Sequence, residues 1–311
     1  MFSRLGLSTL NSMKYAKYCQ PCIIPSHSIS LGPNPMFYSI KGLPKSSKKN
    51  LIDDNELDKN MSIFTIEDKV TQSSGLANFI RKTYTATGLG IFGTIGVAQM
   101  LDYSNIASQY PVHCLGFGFV ASIASIVGIN YANYTINETE NGLESKNSLG
   151  RQFAFGGLVT GMGLTLSPMV DLCNTIDPTI LPISMLLSGT VMGGASAYAY
   201  NASADKYLSL KAPMMGALCG LVGISFTSLG SGLIFGFDAP LSLLLHNVDI
   251  YGGLVVFTGL VVYDTQKSIA MYEDGDPDHL GCATALYLDF VNLLIRMLEI
   301  IAKHNQSRYQ L

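Results

Sequence analysis

Long apolar segments separated by short polar connections dominate the chain from residue 81 onward. A helix needs about 20 mostly apolar residues to cross a bilayer, and seven segments approach or exceed that length. Each is apolar around most of its circumference, which favours helices in lipid over the one-faced helices of a soluble domain. They lie at residues 83–101, 111–131, 152–170, 178–200, 213–237, 248–267 and 280–302. The pattern predicts an all-α, polytopic membrane protein, a bundle of about seven transmembrane helices.

The residues outside these segments predict further divisions of the chain. Residues 1–52 contain seven Lys and Arg, no Asp or Glu, and many serines. That composition is typical of a cleaved mitochondrial transit peptide, with a basic disordered tail as the alternative. Residues 53–80 are polar with scattered apolar positions, which predicts a linker containing one amphipathic helix near residues 61–70. The membrane domain then covers residues 81–302, and residues 303–311 form a polar tail.

Basic side chains alternate between successive connections. They occur before the first segment and after the second, fourth and sixth, but not after the first, third and fifth, where aspartates stand instead. The basic residues are Arg81, Lys82, Lys146, Arg151, Lys206, Lys211 and Lys267. The aspartates are Asp102, Asp171, Asp177, Asp238 and Asp249. The positive-inside rule therefore predicts the Lys/Arg-bearing connections on the matrix side of the mitochondrial inner membrane.

The overall composition narrows the functional classes. Charged residues make up 13% of the chain, about half of their share in soluble domains. Hydrophobic residues make up 48%, and 31 residues are glycine, which fits helices that approach closely in lipid and argues against a large soluble enzyme. The six cysteines form no disulfide framework or complete zinc site. We expect no enzymatic activity, no cofactor and no nucleic-acid partner.

The last apolar segment carries a polar stripe. Four polar residues follow the spacing i, i+3, i+7 and i+10, so a helix places all of them on one face. They are Asp289, Asn292, Arg296 and Glu299. Two placements fit this pattern: a buried helix whose polar face points into the bundle, or an amphipathic helix that lies on the membrane surface.

Two aspartates stand inside apolar segments. Only 14 uncharged residues separate Asp249 from Asp264, too few for a full span, so we place Asp249 in a loop and Asp264 at the hydrocarbon boundary. Asp289 lies nearer the middle of its segment, where an ionised carboxylate costs about 3 kcal/mol or more. If the two carboxylates share one site, they share a proton, and losing it creates an oxygen site that suits Ca²⁺. The alternative is that each carboxylate hydrogen-bonds only locally.

The connection before the last segment, EDGDPDHLG at residues 273–281, is rich in aspartate. Its alternating acids are similar to the start of an EF-hand loop, but His279 and Ala285 stand where that loop needs Gly and Glu. We expect a solvated acidic loop, which would concentrate cations or attract a basic partner.

Two stretches make a more specific pattern together than either does alone. YGGLVVFTGLVVYDTQK at residues 251–267 and ALYLDFVNLLIRML at residues 285–298 resemble the Bax inhibitor family. GLTLSP, GGASAYAY and SLGSGLIFG fit the middle spans of that family. The resemblance covers residues 81–302. Because of the predicted transit peptide, the chain is most similar to the mitochondrial branch of the family.

The resemblance implies a seven-helix membrane fold with a pH-sensitive path for Ca²⁺. It also implies that Asp264 and Asp289 are a di-aspartyl sensor, which binds protons and, transiently, Ca²⁺. Several members close the path with an arginine on an early helix, but no Lys or Arg occurs here between Thr83 and Ser145. Arg296 is the internal candidate for screening the pair, and Asn292 for completing its coordination.

Two alternatives to ion transport follow from the same sequence. For the mitochondrial branch, the resemblance also implies a structural scaffold that organises cristae and retains cytochrome c, with the lipid bilayer and inner-membrane protein complexes as partners. An intramembrane aspartyl protease would also use two aspartates. Its second motif is GxGD, however, and LYLD stands here at residues 286–289.

Overall fold

The structure, a computed structural model, describes residues 54–139, 142–202, 207–236 and 239–309. The predicted transit peptide, residues 1–52, lies outside these residues, so it stays a prediction. Within the described residues, seven long helices account for most of the chain. They are α1 (Asp54–Tyr103), α2 (Pro111–Tyr131), α3 (Leu149–Ile176), α4 (Ile180–Asn201), α5 (Lys211–Phe235), α6 (Pro240–Glu273) and α7 (His279–Tyr309).

Five of the helical segments are long and apolar enough to cross a bilayer: α2, α3, α4, Leu208–Ile234 and α6. The first and last helices, also predicted as spans, are less apolar because they carry polar side chains into the bundle. In α1 these include Thr83, Thr87 and Thr94, all buried; in α7 they include Asp289 and Arg296. The all-α, polytopic membrane fold is confirmed.

Several helices extend beyond the apolar segments from which they were predicted. The segment expected as a polar linker is helical from Asp54, and α1 continues from it without a break. Asp171 lies inside α3 and Asp249 inside α6, so our placement of Asp249 in a loop was wrong. A helix does not have to end at the hydrocarbon boundary, because its backbone hydrogen bonds are satisfied on either side of it.

Glycines allow α2 and α3 to pack at close range. A Cβ atom on Gly118 would lie 2.6 Å from the carbonyl oxygen of Gly161, and one on Gly161 would lie 2.9 Å from that of Gly118. These distances are too short for any larger side chain. Small residues at helix contacts are the usual device for close packing in lipid.

A β-hairpin connects α2 to α3. Its strands, β1 (Tyr134–Thr139) and β2 (Gly142–Asn147), are antiparallel, with Thr139 opposite Gly142. Gly142 has φ of 108°, a conformation that glycine adopts without strain. Ser148 follows β2 and caps α3 by accepting a hydrogen bond from the backbone N–H of Arg151 at 3.4 Å. Our sequence analysis did not predict this hairpin.

Helix α7 lies in the interior of the bundle and contacts α1, α3, α4 and α6. Residues on both of its faces are buried, including Leu286 and Leu293 on the apolar side and Asp289 and Arg296 on the polar side. A helix resting on the membrane surface would expose one face. The buried placement is therefore the correct one of our two alternatives, and the polar stripe points into the protein.

Contacts between connections define two ends of the bundle. At one end, Tyr134 of the β-hairpin contacts Asp276 in the turn between α6 and α7; we name this the hairpin end. At the other end, Asn174 donates to Asp102 at 2.7 Å, and Lys303 donates to Asn247 at 2.7 Å. Helix α7 thus runs from the hairpin end to the opposite end.

Candidate cation-binding site

The two predicted aspartates lie at the same level of the bundle. Asp264 comes nine residues before the end of α6 at Glu273, and Asp289 comes ten residues after the start of α7 at His279. The two helices are consecutive, antiparallel and in contact. At 1.5 Å per residue, both aspartates lie about 14 to 15 Å from the connecting turn.

Both carboxylates are withdrawn from the surface. Asp264 is 5% exposed and Asp289 is 0% exposed. Burying a carboxylate is costly unless it is neutralised, hydrogen-bonded or paired. Two such groups at one level of adjacent helices therefore form a place where a proton or a cation is favoured.

The residues around Asp264 are held by α1 and α4. Thr265 exchanges a hydrogen bond with the Tyr84 hydroxyl at 3.0 Å and donates to Ser196 at 3.5 Å. Gln266 donates to the backbone carbonyl of Ala199 at 3.2 Å. These bonds fix the rotation of α6, and with it the direction in which Asp264 points.

Tyr84 lies in the same part of the interior as the two aspartates. Its phenol lies within electrostatic reach of both Asp264 and Asp289, so the three side chains share one region of the interior. The first helix therefore brings a neutral hydroxyl close to the region of the aspartates. A phenol hydrogen-bonds without supplying a positive charge.

Helix α7 is also attached to α1. Thr94 and Tyr287 share a hydrogen bond of 2.5 Å between their hydroxyls, and Thr87 donates to the backbone carbonyl of Ala283 at 3.3 Å. These contacts set the position of α7 along the bundle axis. Asp289 is consequently held level with Asp264 by polar contacts to a third helix.

The supporting residues predicted on α7 do not all point at the pair. Asn292 is half-buried and donates its amide N–H to the carbonyl of Leu288 at 2.7 Å, a bond within its own helix. Arg296 forms its ion pair with Asp249, at 3.4 Å between Nη2 and Oδ1. Glu299 is half-buried one turn further along. The expectation that Arg296 screens the aspartate pair is therefore not supported by this ion pair.

A second buried arginine organises the hairpin end. Arg151 pairs with Asp278 at 2.5 Å, donates to Asn147 at 2.8 Å and donates to the backbone carbonyl of Ile129 at 3.1 Å. Its guanidinium also lies 4.5 Å from the centre of the Tyr134 ring. The expected solvated acidic loop is thus partly buried, because Asp278 neutralises an arginine that α3 places beneath it.

Hydrogen bonds then define the protonation state of His279. The Asn147 amide oxygen accepts from Arg151, so its nitrogen faces His279 Nε2 at 3.1 Å and must donate to it. The imidazole is therefore neutral and carries its proton on Nδ1, which lies 2.7 Å from the Ser145 hydroxyl. Burial, partly opposed by the charge of Asp278, lowers the pKa of His279.

Asp276 completes the hairpin-end network. Tyr134 donates its hydroxyl proton to Asp276 Oδ1 at 2.6 Å, and burial together with this bond raises the pKa of the phenol. The sequence offered one signal for the hairpin, the dipeptide Asn141–Gly142, which generally marks a turn. It offered none for the partners of Arg151.

Comparison with known proteins relates this chain to one protein family. The model of the family described as "Inhibitor of apoptosis-promoting Bax1" matches residues 76–306. Bax inhibitor 1 of Bos taurus is 30% identical over 231 residues, which is 74% of this chain and 87% of that protein. Bax inhibitor 1 of Sus scrofa is 35% identical, and that of Homo sapiens 28%, over the same shares. No solved structure matches the chain.

Proposed function

The chain belongs to the Bax inhibitor family, and from that premise we propose that it carries Ca²⁺ across a membrane under the control of protons. The observation that supports this most directly is the placement of Asp264 and Asp289, buried at one level of two adjacent helices. The protein is a transporter, as a Ca²⁺/H⁺ exchanger or a pH-gated leak, and not an enzyme.

Competition between protons and Ca²⁺ for the two carboxylates is the core of the proposed mechanism. When the pair holds a proton, one carboxyl is neutral and the site has little affinity for a divalent ion. When the proton leaves, two anionic carboxylates remain at one level of the bundle, and together they would attract Ca²⁺ strongly. Transport in one direction then releases protons in the other.

The ligand count suits transient binding. Ca²⁺ takes about six to eight oxygen ligands, whereas the described residues contain no cluster of three or more His, Cys, Asp or Glu side chains suited to a metal. Hydroxyls such as those of Tyr84 and Thr265, carbonyl oxygens and water would supply the remainder. A site that relies on neutral oxygens binds weakly enough to release the ion, which a transport path requires.

The proposed location is the mitochondrial inner membrane, with the hairpin end facing the matrix. The basic, serine-rich residues 1–52 and the alternation of Lys and Arg support this placement. The relatives carry the name Bax inhibitor 1, and we extend to this chain a restraining effect on apoptosis. Control of mitochondrial Ca²⁺ would supply its physical basis.

A scaffold that organises cristae and retains cytochrome c is the second candidate. One of its supports was an acidic segment able to attract a basic partner. Asp276 and Asp278 instead bond Tyr134 and Arg151 within the chain, which leaves less charge for a partner. Transport is therefore the better-supported proposal.

Ca²⁺ flux into proteoliposomes tests the transport proposal. The wild type should carry Ca²⁺ and move protons the other way, and either Asp264→Asn or Asp289→Asn should lower both fluxes to the level of empty liposomes. Asp274→Asn is the matched control, since Asp274 is exposed at the end of α6 and its loss should leave flux unchanged. A wild type without Ca²⁺ flux at any pH would overturn the proposal and favour the scaffold.

A further inference from the structure

Arg296 is a buried cation with few partners. It is 6% exposed, and its ion pair with Asp249 spans 3.4 Å, long for a charge-assisted hydrogen bond. Its Nε–H finds no hydrogen-bond partner among the described residues. Its guanidinium lies 5.5 Å from the centre of the Phe257 ring. A buried guanidinium normally uses most of its five donors, so Arg296 is held loosely.

The neighbouring helix leaves room for this arginine. A Cβ atom on Gly253 would lie 1.8 Å from Arg296 Nε, so the side chain crosses α6 where that helix has only a glycine. At the adjacent Gly252, a Cβ atom would make an ordinary contact of 3.6 Å with Leu221. The slot for the guanidinium therefore depends on one position.

Asp249 faces the same slot with part of its bonding capacity used elsewhere. Its Oδ1 accepts a hydrogen bond from the Ser225 hydroxyl at 2.9 Å and also contacts Arg296. Its side chain is 16% exposed. Glu299 lies three residues beyond Arg296 on α7, and the helical spacing places both on the same face of that helix. One carboxylate therefore pairs with the buried cation, and a second stands one turn away on the same helix.

The position of this cluster relates it to the aspartate pair. Arg296 lies seven residues beyond Asp289 on α7, about 10 Å along the helix, towards the end opposite the hairpin. A cation travelling between Asp289 and that end along α7 passes this level.

We propose that Asp249 and Glu299 form a second Ca²⁺-binding station, which the Arg296 guanidinium occupies as a tethered plug. The inference deepens the proposed transport function and rests on it for its place in a path. A divalent cation and the Arg296 guanidinium compete for Asp249, so Ca²⁺ enters only when Arg296 withdraws. The long ion pair and the unused Nε donor are the features that let it withdraw.

Equilibrium binding of radioactive Ca²⁺ to the purified full-length chain tests the station apart from transport. The background is Asp264→Asn/Asp289→Asn, which removes the first site. Adding Arg296→Met should create a Ca²⁺ site, and adding Asp249→Asn to that variant should abolish it. Lys303→Met is the control, because it removes a positive charge from an exposed position of the same helix and should create no site. Arg296→Lys, which keeps a cation in the slot, should also create none.

Flux measurements then relate the station to the path. In the wild-type background, Arg296→Met should raise Ca²⁺ flux several-fold, and Arg296→Lys should change it less. If the wild type transports Ca²⁺ while Arg296→Met alters neither binding nor flux, the station is refuted and the transport proposal stands. If Arg296→Met creates a site that Asp249→Asn removes while no variant transports Ca²⁺, the station stands as a binding site and the transport proposal fails. Gly253→Ala, which displaces the guanidinium without removing it, repeats the binding test should Arg296→Met fold poorly.

Discussion

Two buried arginines show how differently one residue type is used within this bundle. Arg151 is 3% exposed and Arg296 is 6% exposed. Arg151 donates to Asp278, Asn147 and Ile129, all within 3.1 Å, and its charge lies over the Tyr134 ring. Arg296 has one ion pair at 3.4 Å and a buried Nε without a partner among the described residues.

This difference indicates a structural role for Arg151 and a mobile side chain for Arg296. A fully satisfied polar network inside a protein fixes one arrangement, whereas a half-satisfied one leaves alternatives close in energy. The hairpin end is therefore expected to stay closed over the turn between α6 and α7. The Arg296 guanidinium is expected to leave its slot, so that Ca²⁺ can take its place. Exposure alone does not separate the two cases; the number and length of the hydrogen bonds do.

Among these changes, Arg151→Met should lower the free energy of unfolding the most. Removing one partner of a buried pair costs about 3 to 5 kcal/mol, because the remaining charge, here Asp278, is left uncompensated. Arg296→Met should cost only about 1 kcal/mol, comparable to one ordinary hydrogen bond, because Asp249 keeps its bond to Ser225. Thermal unfolding of the purified variants in detergent measures both.

A double variant serves as the control for this measurement. Replacing both partners of a buried pair by apolar residues of similar size is often neutral, so Arg151→Met/Asp278→Leu should recover much of the lost stability. Equal losses for Arg151→Met and Arg296→Met would contradict the contrast between a tight and a loose arginine.

Two adjacent glycines on α6 test whether Arg296 occupies the slot beside that helix. Gly253→Ala places a methyl group 1.8 Å from Arg296 Nε, so the guanidinium must move, at a cost of about 1 to 3 kcal/mol for overpacking. Gly252→Ala adds an ordinary contact with Leu221 and should be near neutral. Unfolding temperature and Ca²⁺ binding are measured on both variants. Similar behaviour of the two would show that Arg296 does not occupy this slot.

The sequence singled out the two buried aspartates but neither arginine pair, for a physical reason. A carboxylate in an apolar run is costly wherever the run folds, so Asp264 and Asp289 stand out without a structure. The partners Asp249 and Arg296 lie 47 residues apart, and Arg151 and Asp278 lie 127 apart. Pairing over such distances is decided by how the helices pack, which periodicity does not report.

The extent of the helices was also hidden from the sequence. Hydropathy marks where a helix is apolar, and the prediction of Asp249 in a loop assumed that the helix ends there too. In the structure α6 begins at Pro240, a residue well suited to the first helical turn. Asp249 is tolerated inside the helix because Arg296 and Ser225 supply its partners.

Acidification should destabilise the hairpin end, by a smaller amount than the substitutions above. His279 is bound as a neutral acceptor by Asn147, and its surroundings include Asp278, Lys82, Arg151 and Glu144. Burial lowers its pKa in the folded state below the ordinary 6.5, so below pH 6.5 the unfolded chain binds a proton that the folded chain does not. Stability should therefore fall as the pH drops through 6.5, and stop falling on this account below the folded-state pKa.

His279→Gln isolates this contribution. Glutamine hydrogen-bonds without titrating, so the variant should lack the part of the pH dependence that His279 causes. Unfolding temperatures of wild type and variant, measured from pH 7.5 to about pH 5 in steps around the ordinary histidine pKa, give the difference. A difference that stays constant over this range would mean that the imidazole has the same pKa in the folded and unfolded states. The hairpin end would then tolerate a charged His279. A difference that closes as the pH falls would make His279 the pH-dependent contact of an otherwise fixed network.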